Sequence, residues 1–242
     1  MTGEPTVKLN QVEKALINNP LRELLQWRYE APLLERLGGR VDGLRVLEVG
    51  CGRGVGVEIL LRRLGAGHVT AFDLDPAMVA LARRRLARYG PHRVTLLVAS
   101  ATSIPAPEAS FDAAFDFGII HHVPNWRAAV GEVRRVLRPD GRFFFEEVTS
   151  HALERWSYRT FLDHPTRDRF SAGQFVAELE RHGITVDGRV VERFFGDFVI
   201  GVGTAVGPTD RSVWADAPAG VAPAPGGAGS SQSSRLAPGG DA

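Results

Sequence analysis

The chain has 242 residues, of which 44% are hydrophobic and 24% are charged, a composition typical of a globular protein. Its 29 lysines and arginines nearly balance its 28 aspartates and glutamates, so no global field favours nucleic acid or an anionic membrane surface as a partner. The single cysteine, Cys51, excludes an intramolecular disulfide and a zinc site built from several cysteines.

The N-terminal region is predicted to be helical. It lacks the apolar core of a signal peptide, and no stretch of the chain reaches the ~18 apolar residues of a membrane span, so we expect a cytoplasmic location. Apolar residues near helical spacing predict helix over residues 6–38, with a break at Asn19-Pro20. We interpret residues 1–38 as a helical cap, in which Trp27 and Tyr29 are candidates to cover a substrate.

Strands and helices then alternate. Short apolar runs predict strands at 45–50, 68–75, 93–100, 110–118 and 142–149. Capped amphipathic stretches predict helices at 57–67, 76–90 and 125–141. Strands separated by helices of this length indicate parallel βαβ units and a sheet covered on both faces.

The pattern loosens after residue 150. Residues 150–170 carry four aromatics without a clear period and are predicted to form a substrate lid. A helix follows at 171–183, and residues 184–205 are expected to form two antiparallel strands that turn at Phe195-Gly196. We expect one domain over 39–206 and a disordered tail rich in Gly, Pro, Ala and Ser over 207–242.

A glycine-rich loop follows the first strand, as in sites where backbone approaches a cofactor. It reads acidic-x-G-x-G-x-G, with Glu48 followed by Gly50, Gly52 and Gly54. The dinucleotide fingerprint G-x-G-x-x-G would need glycine at Val55 or Val57, so a nicotinamide-dependent oxidoreductase is disfavoured. Asp73, about 20 residues on, suits a ribose diol in any adenosine cofactor. Glu48 suits a cofactor tail that carries an amine.

Four segments in order resemble the motifs of the class I methyltransferases that depend on S-adenosylmethionine (SAM). They are "VLEVGCGRG", "VTAFDLDPAMVALAR", "ASATSIPAPEASFDAAFDFGIIHHV" and "VRRVLRPDGRFFFEE". The resemblance covers roughly residues 40–205. It implies a Rossmann-like, doubly wound α/β sheet of about seven strands, mostly parallel, with an antiparallel edge strand.

The resemblance also implies a cofactor, SAM, and the residues that hold it. The loop around Gly50, Cys51 and Gly52 would approach the methionine portion, and Asp73 would hold the ribose. Leu74 would lie on the adenine face, with Ser100 and Ala101 near the adenine amine. Asp116 and Phe117 would line the methionine end. Glu48 completes the predicted cofactor set through its carboxylate.

The candidates for catalysis lie after the fourth and fifth strands. His121 and His122 are candidate general bases. Glu146 and Glu147 point to opposite faces of an extended strand, so only one of them can face the site. We take Glu147 as the third candidate base. No metal is implied. We expect in-line methyl transfer to an O, N or C atom of a small molecule, with an apolar or aromatic acceptor favoured. A cyclase or aminopropyl transferase of the same fold, and a non-catalytic SAM-binding protein, remain alternatives.

Overall fold

The structure, a computed structural model, describes residues 19–153 and 168–207. Three sequence predictions therefore fall partly or wholly outside the described residues. They concern the first 18 residues of the cap, residues 154–167 of the proposed lid, and the tail from residue 208.

One sheet organises the described chain. Its strands, in chain order, are β1 (Arg45–Val49), β2 (His68–Asp73), β3 (Val94–Val98), β4 (Phe111–Phe117), β5 (Leu137–Val148), β6 (Ile184–Thr185), β7 (Val190–Arg193) and β8 (Phe198–Ala205). The order across the sheet is β3-β2-β1-β4-β5-β8-β6, and β7 also pairs with β8. The pairs among β1 to β5 are parallel, whereas β8 is antiparallel to β5, β6 and β7. This confirms the predicted fold class, including the antiparallel pair at the edge.

Helices cover both faces of the sheet. They are α1 (Pro20–Leu25), α2 (Ala31–Gly38), α3 (Val55–Arg62), α4 (Pro76–Arg85), α5 (Trp126–Val136), α6 (Ser150–Leu153) and α7 (Ala172–Arg181). The run Phe143-Phe144-Phe145 on β5 shows how the core divides. Phe143 and Phe145 belong to the core cluster that includes α5 and α7, while Phe144 belongs to the cluster on the other face, which includes α2, α3 and α4. Each fully buried ring contributes about 1.5–3 kcal/mol.

Several element boundaries differ from the sequence prediction, and residues 184–205 form three strands instead of the two expected. Two of the boundaries have a clear local reason. The helix after β1 begins at Val55 because Gly54, with φ +88°, is its N-cap. The helix predicted to reach Gly141 ends at Val136, because Leu137 already pairs with Phe111 and opens β5.

The described part of the N-terminal cap starts at the predicted break. The Asn19 side chain accepts a hydrogen bond from the Leu21 amide, and Pro20 occupies the first turn of α1, where its missing N–H costs nothing. A π-helical segment, Gln26–Glu30, joins α1 to α2. The described part of the cap is therefore helical, as predicted.

Two helical glycines allow a test of how α2 packs on the sheet. A Cβ at Gly38 would collide with the buried ring of Phe144, whereas a Cβ at Gly173 on α7 would meet nothing within 4 Å. We expect Gly38→Ala to lower the free energy of unfolding by about 1–3 kcal/mol through overpacking. Gly173→Ala is the matched control and should be neutral or raise it by several tenths, up to about 1 kcal/mol. Urea unfolding of both variants measures this, and equal effects would contradict the packing described.

Candidate functional site

The residues predicted to carry function gather at the carboxyl ends of the strands. The chain leaves β1 toward β2 and β3 and then returns to place β4 on the other side of β1. Such a reversal opens a crevice beyond the carboxyl ends of β1 and β4, where open α/β sheets bind ligands. The glycine loop follows β1, Asp73 ends β2, and Asp116 and Phe117 end β4.

The glycine loop depends on backbone conformations that favour glycine. Gly50, Gly52 and Gly54 have φ values of +70°, +48° and +88°, a region that other residues adopt at a cost. A Cβ at Gly50 would collide with Ile119, but a Cβ at Gly52 would meet nothing within 4 Å. The loop is therefore closed against the protein at Gly50 and open to a ligand at Gly52.

Asp73 fixes the loop to the end of β2. Its carboxylate accepts hydrogen bonds from the amides of Gly52 and Asp75, both at 2.9 Å. The Cys51 amide donates to the carbonyl of Phe72 at 2.7 Å. Leu74, the next residue after Asp73, is 44% exposed and offers an apolar surface at the rim.

Glu48 is buried directly beneath the loop. Its side chain occupies the space that a Cβ on Gly56 would need. Its Oε2 atom has no hydrogen-bond partner among the described residues. Burial, and then the charges of Asp73 and Asp116, raises the pKa of Glu48 well above its usual value. An unsatisfied buried carboxyl is costly, so this position favours a ligand with a positive charge or a hydrogen-bond donor.

Asp116 and Glu147 form a buried carboxyl pair on the other face of the sheet. Both are fully buried. Burial, and then the charge of Glu147, raises the pKa of Asp116 well above its usual value. Burial also raises the pKa of Glu147 to about 7. The pair therefore retains protons to a higher pH than carboxyl groups in water do.

Glu147 also holds the turn that carries the two histidines. It accepts hydrogen bonds from the amides of Ile120 at 2.6 Å and His121 at 3.2 Å. Its Oε2 lies 2.5 Å from Nδ1 of the His121 ring. His121 and His122 are each 8% exposed, and their ring centroids lie 4.1 Å apart. The carboxylate thus turns Nε2 of His121 away from itself and fixes the orientation of that ring.

Glu146 points to the opposite face, as the alternation along a strand predicts. Arg22 Nη2 of the cap lies 3.5 Å from its Oε1. Arg22 also pairs with Glu30. Burial and the charge of Glu30 raise the pKa of Glu146 well above its usual value, although Arg22 opposes the shift.

Arg22 and Glu30 were absent from the sequence-based candidates. Nothing in the local sequence indicates that this part of the cap reaches the end of β5. Only the packing of α1 and α2 on the sheet brings them there.

The remaining predicted residues lie near the same edge. Ser100 Oγ is within 2.8 Å of Thr102 Oγ1 and accepts from the Thr102 amide at 3.2 Å, so it is turned into its own loop. Ala101 is buried, and Phe117 is half-buried. Burial raises the pKa of the Cys51 thiol, the opposite of what an activated nucleophile needs.

Further observations concern metal ions, a cavity and membrane spans. Among residues 19–153 and 168–207, no three His, Cys, Asp or Glu side chains are placed to hold a metal ion. A cavity of about 280 Å³ lies just beyond the end of β5, lined by residues that include Thr149, Ser171 and Phe195. No helix within the described residues is both long and apolar enough to cross a membrane.

Comparison with known proteins identifies similar sequences and folds. A family model described as a methyltransferase domain matches residues 46–141. The chain is 37% identical over 124 residues to a ubiquinone/menaquinone biosynthesis C-methyltransferase of Methylobacterium nodulans, covering 48% of each protein. It is 33% identical over 126 residues to a fatty-acid O-methyltransferase of Mycolicibacterium smegmatis, covering 52% of this chain and 44% of that protein. The chain therefore spans less than half the length of these two relatives.

A solved structure extends the similarity over most of the chain. A SAM-dependent methyltransferase from Aquifex aeolicus superposes with a TM-score of 0.65 at 25% sequence identity. The match covers 82% of this chain and 100% of that one.

The raised pKa values of Asp116 and Glu147 predict how stability depends on pH. Because folding raises the pKa of Glu147 to about 7, its contribution is fully present below about pH 4.5 and is lost as the pH rises through 7. Asp116→Asn keeps a donor toward Glu147 but removes one titrating group. We expect the loss of unfolding free energy between about pH 5 and about pH 8 to shrink by on the order of 1–3 kcal/mol.

Urea unfolding across that pH range measures the effect. Glu108→Gln, at an exposed glutamate, is the control and should leave the pH dependence unchanged. A parallel pH dependence in Asp116→Asn and the wild type would contradict the raised pKa of Asp116.

Proposed function

We propose that this chain, whose residues 46–141 match a model of a methyltransferase domain, is a class I SAM-dependent methyltransferase that transfers a methyl group to a small-molecule acceptor. The observation that carries the proposal is Glu48, a buried carboxyl with an unsatisfied oxygen beneath an open glycine loop. SAM, the cofactor of the family, supplies a methyl group already activated by a positive sulfonium and also carries an amine. A site rich in buried carboxyl groups suits both positive charges.

Each part of the cofactor has a fitting partner at the edge of the sheet. Glu48 holds the amine, and the open side of Gly52 admits the methionine portion. Asp73 holds the ribose hydroxyls, because each carboxylate oxygen accepts more than one hydrogen bond and its bonds to Gly52 and Asp75 fix its direction. The exposed side chain of Leu74 supports the adenine ring.

The other residues predicted to bind the cofactor lie at the two ends of the proposed SAM site. Ser100 and Ala101, after β3, border the adenine end, and Asp116 and Phe117, after β4, border the methionine end. Ser100 would have to exchange its contact with Thr102 for one with the adenine amine. Its contribution to affinity is therefore the smallest of the set.

The acceptor side is defined by the ends of β4 and β5. Glu147 acts as a positioning residue, since its contacts with Ile120 and His121 occupy its carboxylate. It orients His121 so that Nε2 takes the proton from an acceptor hydroxyl or amine. His122 packs against His121 and shapes the same wall. A carbon acceptor that is already nucleophilic would need no such base.

An apolar or aromatic acceptor agrees best with the surroundings. Three exposed leucines, Leu21, Leu24 and Leu25, lie on α1. Phe195, at the rim of the cavity beyond β5, is 94% exposed. Two relatives, a ubiquinone/menaquinone biosynthesis C-methyltransferase and a fatty-acid O-methyltransferase, support a quinone-like or lipid-like acceptor.

Calorimetric titration with SAM tests the cofactor assignment. We expect SAM and its demethylated product to bind and NAD not to bind. Glu48→Gln should weaken SAM binding by about tenfold or more, because a charged hydrogen bond to the amine is lost. The same variant should raise the stability of the cofactor-free protein near pH 8, because a buried acid is removed. Tight NAD binding without SAM binding would refute the proposed function.

Turnover is tested with methyl-labelled SAM and a lipid extract. Label should enter an extractable product. For a hydroxyl or amine acceptor, His121→Gln should lower kcat by about a hundredfold or more and leave the Kd for SAM nearly unchanged. Tight SAM binding with no labelled product would instead favour a non-catalytic SAM-binding protein or an enzyme that uses the fold for another reaction.

A further inference from the structure

The first described helix of the cap, α1, contributes no residue to the buried core. None of the six residues of α1 is buried, whereas the next helix, α2, buries Ala31, Leu33 and Leu34 against the sheet. Apolar burial therefore fixes α2 but not α1. The position of α1 depends on polar contacts, which lie at Arg22 and Glu23.

Glu23 connects α1 to the glycine loop. Its Oε2 accepts a hydrogen bond from Arg53 Nη2 at 2.9 Å. The same oxygen accepts from Arg85 Nη1 at 3.2 Å, and Oε1 accepts from Arg85 Nη2. Arg53 lies between Gly52 and Gly54 and is the only residue of the loop with a long side chain. One carboxylate thus joins the cap, the loop and α4.

Arg85 is itself fixed from the body of the protein. Its Nε donates to Glu58 Oε2 at 2.6 Å, and Glu58 is buried on α3 and also pairs with Arg88. The side chains of Glu23, Arg53 and Arg85 are 24–28% exposed. An isolated pair at such exposure contributes little, but a network with bidentate arginine geometry contributes more.

The glycine loop needs such a restraint. Three of the five residues from Gly50 to Gly54 are glycines, which have the largest conformational freedom in the unbound chain. A ligand that binds only one arrangement of a loop loses affinity in proportion to the population of the others. Asp73 restrains the loop through its backbone at Gly52, and Glu23 restrains it through the side chain of Arg53.

We propose that Glu23 is a positioning residue of the cofactor site: by holding Arg53 against Arg85, it keeps the glycine loop in the arrangement that binds SAM and couples the seating of α1 to cofactor binding. This inference rests on the proposed function for its cofactor. It assigns a role in cofactor affinity to a residue of the cap that does not itself touch the cofactor.

Glu23→Gln, compared with Glu35→Gln, tests the proposal. Glu35 on α2 is 26% exposed and pairs with Arg63 at 2.8 Å. It is about as exposed as Glu23, but its ion pair does not include a residue of the glycine loop. We expect Glu23→Gln to raise the Kd for SAM roughly fivefold and Glu35→Gln to leave it unchanged. An unchanged Kd in Glu23→Gln, or an equal rise in both variants, overturns the proposal.

Hydrogen exchange of the cofactor-free protein tests the same role without SAM. The amides from Gly52 to Gly54 should exchange faster in Glu23→Gln than in the wild type or in Glu35→Gln, while strand amides stay protected. Unchanged loop exchange refutes the positioning role. If the wild type itself failed to bind SAM, the proposed function would fail, and this exchange result would still decide whether Glu23 positions the loop.

A double-mutant cycle tests whether Glu23 acts on SAM binding through Arg53. If Glu23 acts through Arg53, then Glu23→Gln combined with Arg53→Gln should bind SAM no more weakly than Arg53→Gln alone. Fully additive losses would show that Glu23 acts by another path and would refute the proposed coupling through Arg53.

Discussion

The burial of carboxyl groups along one edge of the sheet is the constraint on which the rest of this structure depends. Glu48, Asp116, Glu146 and Glu147 are at most 4% exposed, and each ends or nearly ends a strand. Burial of a carboxylate is unfavourable unless a proton, a cation or several donors compensate for it. The local solutions differ, since Glu147 is bonded to two amides and a histidine while Glu48 retains an unsatisfied oxygen. The edge is therefore prepared for a positively charged ligand, and its unligated form retains protons that such a ligand displaces.

Much of the cofactor side could be predicted from the sequence because local rules determine it. Positive φ angles favour glycine, so the spacing of Gly50, Gly52 and Gly54 indicates the loop before any fold is known. The side chains of a strand alternate, so adjacency alone separates Glu146 from Glu147. The alternation of strands and helices likewise determined the fold class. The assignment of single residues to parts of the cofactor stays a prediction.

The contacts of the cap could not be predicted in this way. Whether Arg22, Glu23 and Glu30 face the sheet depends on how α1 and α2 are rotated and placed, which is a property of tertiary packing. The end of α5 at Val136 was missed for a similar reason, since strand pairing with Phe111 overrides the local preference of the sequence. Long-range pairings decide these features, and a local pattern carries little information about them.

The π-helical segment between α1 and α2 has a consequence for how the cap could change over evolution. A π turn contains about one more residue than an α turn, and each residue of an α-helix advances the chain by about 100° around its axis. The extra residue within Gln26–Glu30 therefore sets which side of α1 faces the glycine loop. Loss of a single residue there would turn α1 by up to about a quarter of a revolution and move the carboxylate of Glu23 away from Arg53. One codon in this segment thus decides whether an acidic or a different side chain faces the loop, without any change in the helix that carries it.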